Sequence, residues 1–390
     1  FPESESRLPY GPTKTRDLAF DRKPTGYWAG GILDPKRQTQ ATTEELRWPG
    51  HCYKSPWPLS EKAWIASYSF DCLQGEPGGN LPNMFGLYIC DTFGNRELLY
   101  RDPRISSVWA LPIESREMPP IIYSSIDSSM AKRNIGTFYL QNVRDSWPKA
   151  FPEEHPITAL RVFEIFTKTT PHADRPKVGA GQGSMGRHVL GTVPVEADGS
   201  AYFEVPSGIP VYFQALDDKG RAVQTMRSLV YLQPGEMESC IGCHENRQKA
   251  AIPGARTIAQ TRPPSVLTPG PEGAYPFSFA KLVQPILDKH CIACHDGSRP
   301  KRPKLTSERE GWATKSFNVL IRHVSYSGWG MPKNNFEPTT EPLRFGALAS
   351  PLLTRLENKH GKVTLSKDEM DRMILWMDSN GACYGTYDLK

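Results

Sequence analysis

The sequence predicts a mixed, mainly β protein closed by an α-helical C-terminal domain, and three observations predict it. Thirty-six prolines and 32 glycines in 390 residues, with only 38% apolar residues, describe a turn-rich chain rather than a helical bundle. Short apolar runs bounded by turn signals recur through roughly the first 270 residues. Beyond that point the apolar spacing changes to a helical period. The length suits two or three domains, each with its own core.

The first domain, residues 1–125, is expected to be short strands separated by turns. Ala63–Tyr68 is one apolar run, and Phe85–Asp91 turns through Asp91-Thr92-Phe93-Gly94-Asn95 into Arg96–Tyr100. A strand, a turn and a strand repeated this way is the pattern of a propeller blade, although the chain here suffices for only one or two blades. The region is therefore an incomplete propeller-like one, and its strand edges near residues 60–100 are expected to be covered by a partner. Pro112–Pro120 is proline-rich and reads as a linker.

The second domain, residues 126–270, is expected to be an antiparallel β-sandwich. Thr137–Leu140 and Ala159–Ile165 are strands, followed by a flexible loop over residues 176–186. His188–Val195, Ala201–Val205 and Pro210–Leu216 follow closely, joined by Asp198-Gly199 and Ser207-Gly208 turns, and Val223–Leu232 is the last strand. In the third domain, residues 271–390, Phe277–His290 carries Phe279, Leu282, Val283, Ile286 and Leu287 at helical spacing. Ser366-Lys367-Asp368-Glu369 is a capping box opening a helix with Met370, Met373, Ile374 and Met377 on one face.

The formal charge of +5 is mildly basic, but no block of Lys and Arg dominates a segment, which argues against a nucleic-acid partner. No run approaches the roughly 18 apolar residues of a membrane span, so a soluble chain without a membrane span is expected. A start at Phe1 suits a mature, periplasmic or otherwise extracytoplasmic protein whose signal peptide has been removed. Of eight cysteines, four lie in two motifs, and Cys52, Cys72, Cys90 and Cys383 remain. An even remainder fits one or two disulfides, with a pair among Cys52, Cys72 and Cys90 favoured by their closeness in sequence, or buried thiols.

The two motifs carry the chemistry: Cys240-Ile241-Gly242-Cys243-His244 and Cys291-Ile292-Ala293-Cys294-His295. In Cys-x-x-Cys-His the thiols, one turn apart, can each add to a vinyl group of one porphyrin, and the adjacent His ligates the iron. Such a motif would arise by chance roughly 0.004 times in a chain of this composition, so two copies point to two covalently bound c-type haems. Their propionates would add about four carboxylates. Zinc is the rival, and it is disfavoured. A zinc ribbon separates its pairs by roughly 15–20 residues, whereas 47 lie between Cys243 and Cys291. Candidate sixth ligands are His360, Met331 (in Gly330-Met331-Pro332) and the sequence-remote His51 for the second haem, and His188 for the first. His155, His172 and His323 lack supporting context, and His290 is expected to point away from its ring.

The helix entering the second motif and the closing helix after it resemble the frame of a class I cytochrome c, over residues 275–385. A second resemblance rests on Leu190–Phe203, on Pro210–Leu216 and on Ser239–Glu245. This stretch is similar to the middle domain of the hydrazine synthase alpha subunit family. Phe93–Tyr100 and Trp376–Tyr387 resemble the same family, and the likeness runs from about residue 50 onward. It implies an N-terminal propeller, a middle domain with one haem and a C-terminal domain with a second. In the family enzyme a tyrosine four residues past the first motif's His ligates the catalytic iron, while that His turns to a zinc ion. Here that position is Gln248, and no tyrosine follows before Tyr275. The family's second haem is bis-histidine with its distal His from the propeller, which by resemblance points to His51.

Three functions follow. The first is a dihaem c-type cytochrome transferring electrons in a periplasmic redox complex, with another redox protein or subunit as partner in a hetero-oligomer. The alternative is an oxidoreductase whose first haem acts on a small nitrogen substrate, and the third is a structural subunit stabilised by haem. The missing tyrosine favours transfer.

Overall fold

The computed structural model describes residues 52–70, 82–115, 117–121, 124–168, 170, 172, 174–244, 256–270, 276–328 and 340–387. Contacts divide the chain into two compact units, Phe1–Ile121 and Ile122–Lys390.

The first unit holds a four-stranded sheet in the order β1-β2-β3-β4. Its strands are Cys52–Pro58, Ala63–Ser69, Gly86–Asp91 and Arg96–Tyr100, and each neighbouring pair is antiparallel. Asp91 makes the last turn, because its Oδ1 accepts the backbone N–H groups of Phe93 and Asn95, both at 2.9 Å. Those hydrogen bonds, the Asn95 side chain foremost, hold its carboxyl below the ordinary range. Ala66, Tyr68, Tyr88 and Cys90 form the small core. The edge strand β4 is mostly exposed, with Leu98, Leu99 and Tyr100 facing solvent.

The second unit begins with a short helix α1 (Ser128–Lys132), capped by Asp127. Two sheets follow. One runs β10-β9-β6-β7 and the other β11-β5-β8. The strands are β5 Ile135–Leu140, β6 Ala159–Ile165, β7 Arg187–Pro194, β8 Ala201–Pro206, β9 Val211–Leu216, β10 Ala222–Thr225 and β11 Met237–Cys240. Phe138, Val162, Val193, Phe203, Val211 and Leu232 fill the space they enclose. The 256–270 segment closes one side: Thr268 and Thr192 exchange two backbone hydrogen bonds of 2.9 Å. Gly191 sits there at φ 150°, where a Cβ would meet the Thr268 carbonyl at 2.6 Å.

Three details differ from the sequence expectation. β11 pairs with β5 in parallel, so the antiparallel pattern is broken at the strand that leads into the first motif. The expected strand 223–232 ends at Thr225 and returns only at Val230, which bridges Val211. Between them Arg227 leaves the ladder, and its guanidinium donates to Thr340 Oγ1 at 3.0 Å. The 176–186 loop is anchored rather than free: Val178 is buried, and its carbonyl accepts from the N–H groups of Cys383 (2.9 Å) and Tyr384 (3.0 Å).

The remaining chain is helical. Its principal segments are α2 Phe279–Leu282, α3 Gln284–His290, α4 Ile292–His295, α5 Lys315–Leu320, α6 Pro351–Glu357 and α7 Lys367–Asp378. The single helix expected over 277–290 is broken at Val283, because Pro285 has no N–H to continue the ladder and suits the start of a new helix. The α7 capping box forms as expected, with Ser366 and Glu369 exchanging side-chain and backbone bonds. Met373, Ile374, Trp376 and Met377 are buried from α7 against Phe279, Phe317 and Leu353.

The sheets and the closing helix meet at one buried polar knot. Asp378 accepts from Arg161 Nη1 (3.2 Å) and from the backbone N–H groups of Ala222 (3.0 Å) and Ala347 (2.8 Å). Gln214 accepts from Arg161 and donates to the Asp378 carbonyl at 2.7 Å. No disulfide is present among the described residues. Cys90 and Cys383 are buried free thiols, burial pushing them up to about 11 and about 12 respectively. The two-disulfide arrangement is thereby ruled out, and Cys72 lies outside the described residues.

Candidate haem centres

The second motif is helical. Cys291 joins α3 to α4, and the N–H groups of Cys294 (3.1 Å) and His295 (3.0 Å) both donate to its carbonyl. The two thiols therefore stand one turn apart, a spacing that suits attachment to one porphyrin edge. Cys291 is partly buried against the helical core, and desolvation raises its thiol. His295 Nδ1 lies 2.8 Å from the Pro303 carbonyl, and the Leu305 N–H donates back to the His295 carbonyl at 2.9 Å. A carbonyl can only accept, so this contact places the ring proton on Nδ1 and leaves Nε2 as the free lone pair. The His360 ring lies 6.1 Å from the His295 ring, centroid to centroid. Two imidazoles sharing one metal, with bonds of about 2 Å, stand roughly 6 Å apart by the same measure. His360 is brought there by the turn after α6, where Lys359 adopts a left-handed φ of 51°. Beside it opens a cavity of about 600 Å³, lined by Leu348, Pro351, Arg355 and His360 among others.

The first motif has a different backbone. Cys240 ends β11, and the chain continues extended along residues 141–147 rather than turning into a helix. Gln141 and Asn142 N–H groups donate to the Cys240 and Ile241 carbonyls, the Cys243 N–H donates to Asp145, and the Trp147 N–H donates to His244. Gly242 is required for this approach, since a Cβ there would collide with the Asp145 carbonyl. Cys243 packs against the sandwich core, and burial pushes its thiol up to about 12. The Trp147 ring lies 5.9 Å from that of His244, tilted by 57°. Among the described residues no three His, Cys, Asp or Glu side chains gather as a metal-ion cage.

The other candidates are dispersed. His188 is not at the first motif: it is the second residue of β7, six residues from Pro194, a climb of about 20 Å, whereas the motif adjoins the opposite end, where Leu140 pairs with Ala201 and Cys240. There His188 meets Glu164 at 3.1 Å and stacks on Phe166, with its Nε2 buried and unpartnered. His51, Met331, Gln248 and Tyr275 lie outside the described residues. His290 turns to Glu369 at 3.0 Å, as its position beside Cys291 suggested. His155 meets Asp217 at 3.1 Å, and His172 Nδ1 accepts from the Asp174 N–H. His323 lies 3.5 Å from Arg355, and burial and that guanidinium lower its affinity for a proton. Sequence inspection missed Pro303, Asp145 and Trp147, which act through two carbonyls and one ring contact that no spacing announces. A cavity of about 1390 Å³ between the β6–β7 sheet and the C-terminal helices is lined by none of the motif residues.

A family model of the hydrazine synthase alpha subunit middle domain matches residues 156–245, from the loop before β6 through the first motif. Over those residues the chain is similar to the hydrazine synthase alpha subunit family. The hydrazine synthase subunit alpha of Kuenenia stuttgartiensis is 25% identical over 398 aligned positions, covering 76% of this chain and 47% of that one. A solved structure of Kuenenia stuttgartiensis hydrazine synthase superimposes with a TM-score of 0.61 at 19% identity, over 88% of this chain and 56% of its own. The chain thus spans about half the length of the relatives it matches. That likeness is one of fold, which in this chain is mainly β with several sheets and few helices. Among its described residues no helix is long and apolar enough to cross a membrane.

Proposed function

We propose that the chain is a c-type haem subunit that transfers electrons, one haem being held at each Cys-x-x-Cys-His motif. The observation that carries this is the His295–His360 pair, spaced for one metal, with His295 oriented by the Pro303 carbonyl. A haem held between two histidines supplies one-electron chemistry without an open position for substrate, which suits a relay. The chain's own residues do the rest. Cys291 and Cys294 offer the attachment thiols, Pro303 fixes the His295 tautomer, and the α7 core holds the frame. Cys240, Cys243 and His244 offer the same set at the first centre, with Trp147 on the His244 ring. His360 replaces His51 and Met331 as the second haem's distal ligand in this reading, and His188 is set aside for the first.

The C-terminal region acts in this proposal as a class I-like cytochrome domain, and residues 1–125, 126–270 and 271–390 as propeller-like, sandwich and cytochrome segments. The likeness to a hydrazine synthase subunit supports a hetero-oligomeric setting, and covalent haem supports an extracytoplasmic one. Gln248, where the family enzyme carries tyrosine, supports transfer over hydrazine chemistry at the first haem. Optical and EPR spectra of the purified protein test the proposal. The expected result is a low-spin bis-histidine signal from the second centre that turns high-spin in His360→Ala. A protein purified from a haem-maturing host without covalent haem would end it.

A further inference from the structure

The surface around the second motif is basic, and the excess is concentrated. The loop after His295 carries Arg299, Lys301, Arg302 and Lys304 against one carboxylate, Asp296. The segment around His360 carries Arg355, Lys359 and Lys362 against one, Glu357. These two segments hold seven cations and two acids, an excess of five that equals the formal excess of +5 for the whole chain. The remaining residues balance. The fold brings the two segments together, since the His295 and His360 rings are 6.1 Å apart and the first loop folds back so that Pro303 meets His295.

The acids at this face are already engaged. Glu357 pairs with Arg221 at 3.2 Å, and Asp296 accepts from Ser298 at 2.7 Å. Glu308, just beyond, pairs with Lys304 at 2.6 Å. Lys301, Arg302, Lys359 and Lys362 are exposed and have no ion-pair partner among the described residues. A surface charge run is ordinarily just solvated; here it borders the second Cys-x-x-Cys-His motif and holds the sequence's whole formal excess.

We infer that this face docks a redox protein with an acidic surface, which exchanges one electron with the second haem. The inference rests on the proposed haem relay. Like-signed charge focused at one edge speeds association with an oppositely charged partner and makes the rate depend on salt. The step balances simply: a reduced donor loses one electron, the ferric iron gains it, and no proton moves.

The test uses the full haem-loaded chain and a reduced plant-type [2Fe–2S] ferredoxin, an acidic one-electron donor, mixed in a stopped-flow instrument. The expected bimolecular rate of haem reduction falls about tenfold or more from 10 mM to 500 mM salt, by screening of the kind a Debye length of ~10 Å at 0.1 M implies. Charge reversal at Lys301, Arg302, Lys359 and Lys362 to Glu should remove at least tenfold of the low-salt rate and flatten its salt dependence. Reversal of the exposed Lys54, Lys62, Lys132 and Arg256 should leave both within twofold. Equal rates and salt slopes for the two quadruple variants, with the second haem present by its absorbance, would overturn the docking face alone. Loss of no haem in Cys291→Ala/Cys294→Ala would overturn the relay and the docking face together. Salt-dependent binding to phosphatidylglycerol vesicles, abolished by the first variant while ferredoxin rates stay unchanged, would also overturn it, in favour of a membrane surface.

Discussion

Asp378 is the point where the sheets and the closing helix depend on a single side chain, so its removal has a calculable consequence. The residue is 4% exposed and sits at the end of α7. Its oxygens accept from the Arg161 guanidinium and from two backbone N–H groups, on Ala222 and Ala347. Burial pushes its carboxyl up, against which Arg161 and the two amides pull it down. In Asp378→Ala the guanidinium of Arg161, itself 8% exposed, keeps Gln214 and the Gly220 carbonyl but loses its counter-charge. Breaking a buried pair from one side costs roughly 3–5 kcal/mol. Each orphaned amide adds about 1 kcal/mol unless water enters. Asp378→Ala should therefore destabilise the second unit by about 4 kcal/mol or more. Asp378→Asn keeps the shape and one acceptor, so about half that loss is expected. Urea unfolding followed by fluorescence of the buried Trp376 measures both. A cost below about 1 kcal/mol for the alanine variant would refute the view that this knot joins sheet to helix.

Three further outcomes are expected. Glu369 ties α7 to α3 through Lys289 (2.8 Å) and His290 (3.0 Å) and caps its own helix at the Ser366 N–H (2.8 Å), and those contacts, Lys289 first, hold its carboxyl well below the usual range. A depressed carboxylate contributes stability that is complete above the unfolded value near 4.5 and is lost as pH falls through that value toward the folded one. Urea midpoints from pH 7 to pH 3 should thus drop more steeply in the native chain than in Glu369→Gln. At pH 7 the substitution should cost about 1 kcal/mol, the size of a lost cap. His188→Ala should leave both haem spectra unchanged, because β7 carries that ring to the far end of the sandwich; a spin-state change at either centre would contradict the strand register. Gly242→Ala should block maturation of the first haem only, read as the loss of one haem by mass, since the Asp145 carbonyl occupies the place of a Cβ.

Much of the fold was legible in the chain itself. The apolar run ending at Asp91, the turn at Asp91 and the helix opened by Ser366–Glu369 are local patterns whose outcome depends on neighbours a few residues away, and each formed where expected. Pro285 breaking the entry helix was equally local, and a stricter reading of proline would have found it. The parallel pairing of β11 with β5 was not legible, because it joins residues about a hundred apart and leaves no periodic trace.

The same division holds at the haem motifs. The five-residue motifs determined by themselves that two thiols and a histidine stand together at each, since that needs only adjacent residues. The rest was decided by tertiary structure: a helical second motif and an extended first one, the Pro303 carbonyl on His295, the Trp147 ring on His244, and His360 rather than His188 beside a motif. These are contacts between distant segments, set by which strand ends and loops the packed core brings together. An imidazole cannot declare its partner in sequence, because the partner is chosen by the fold.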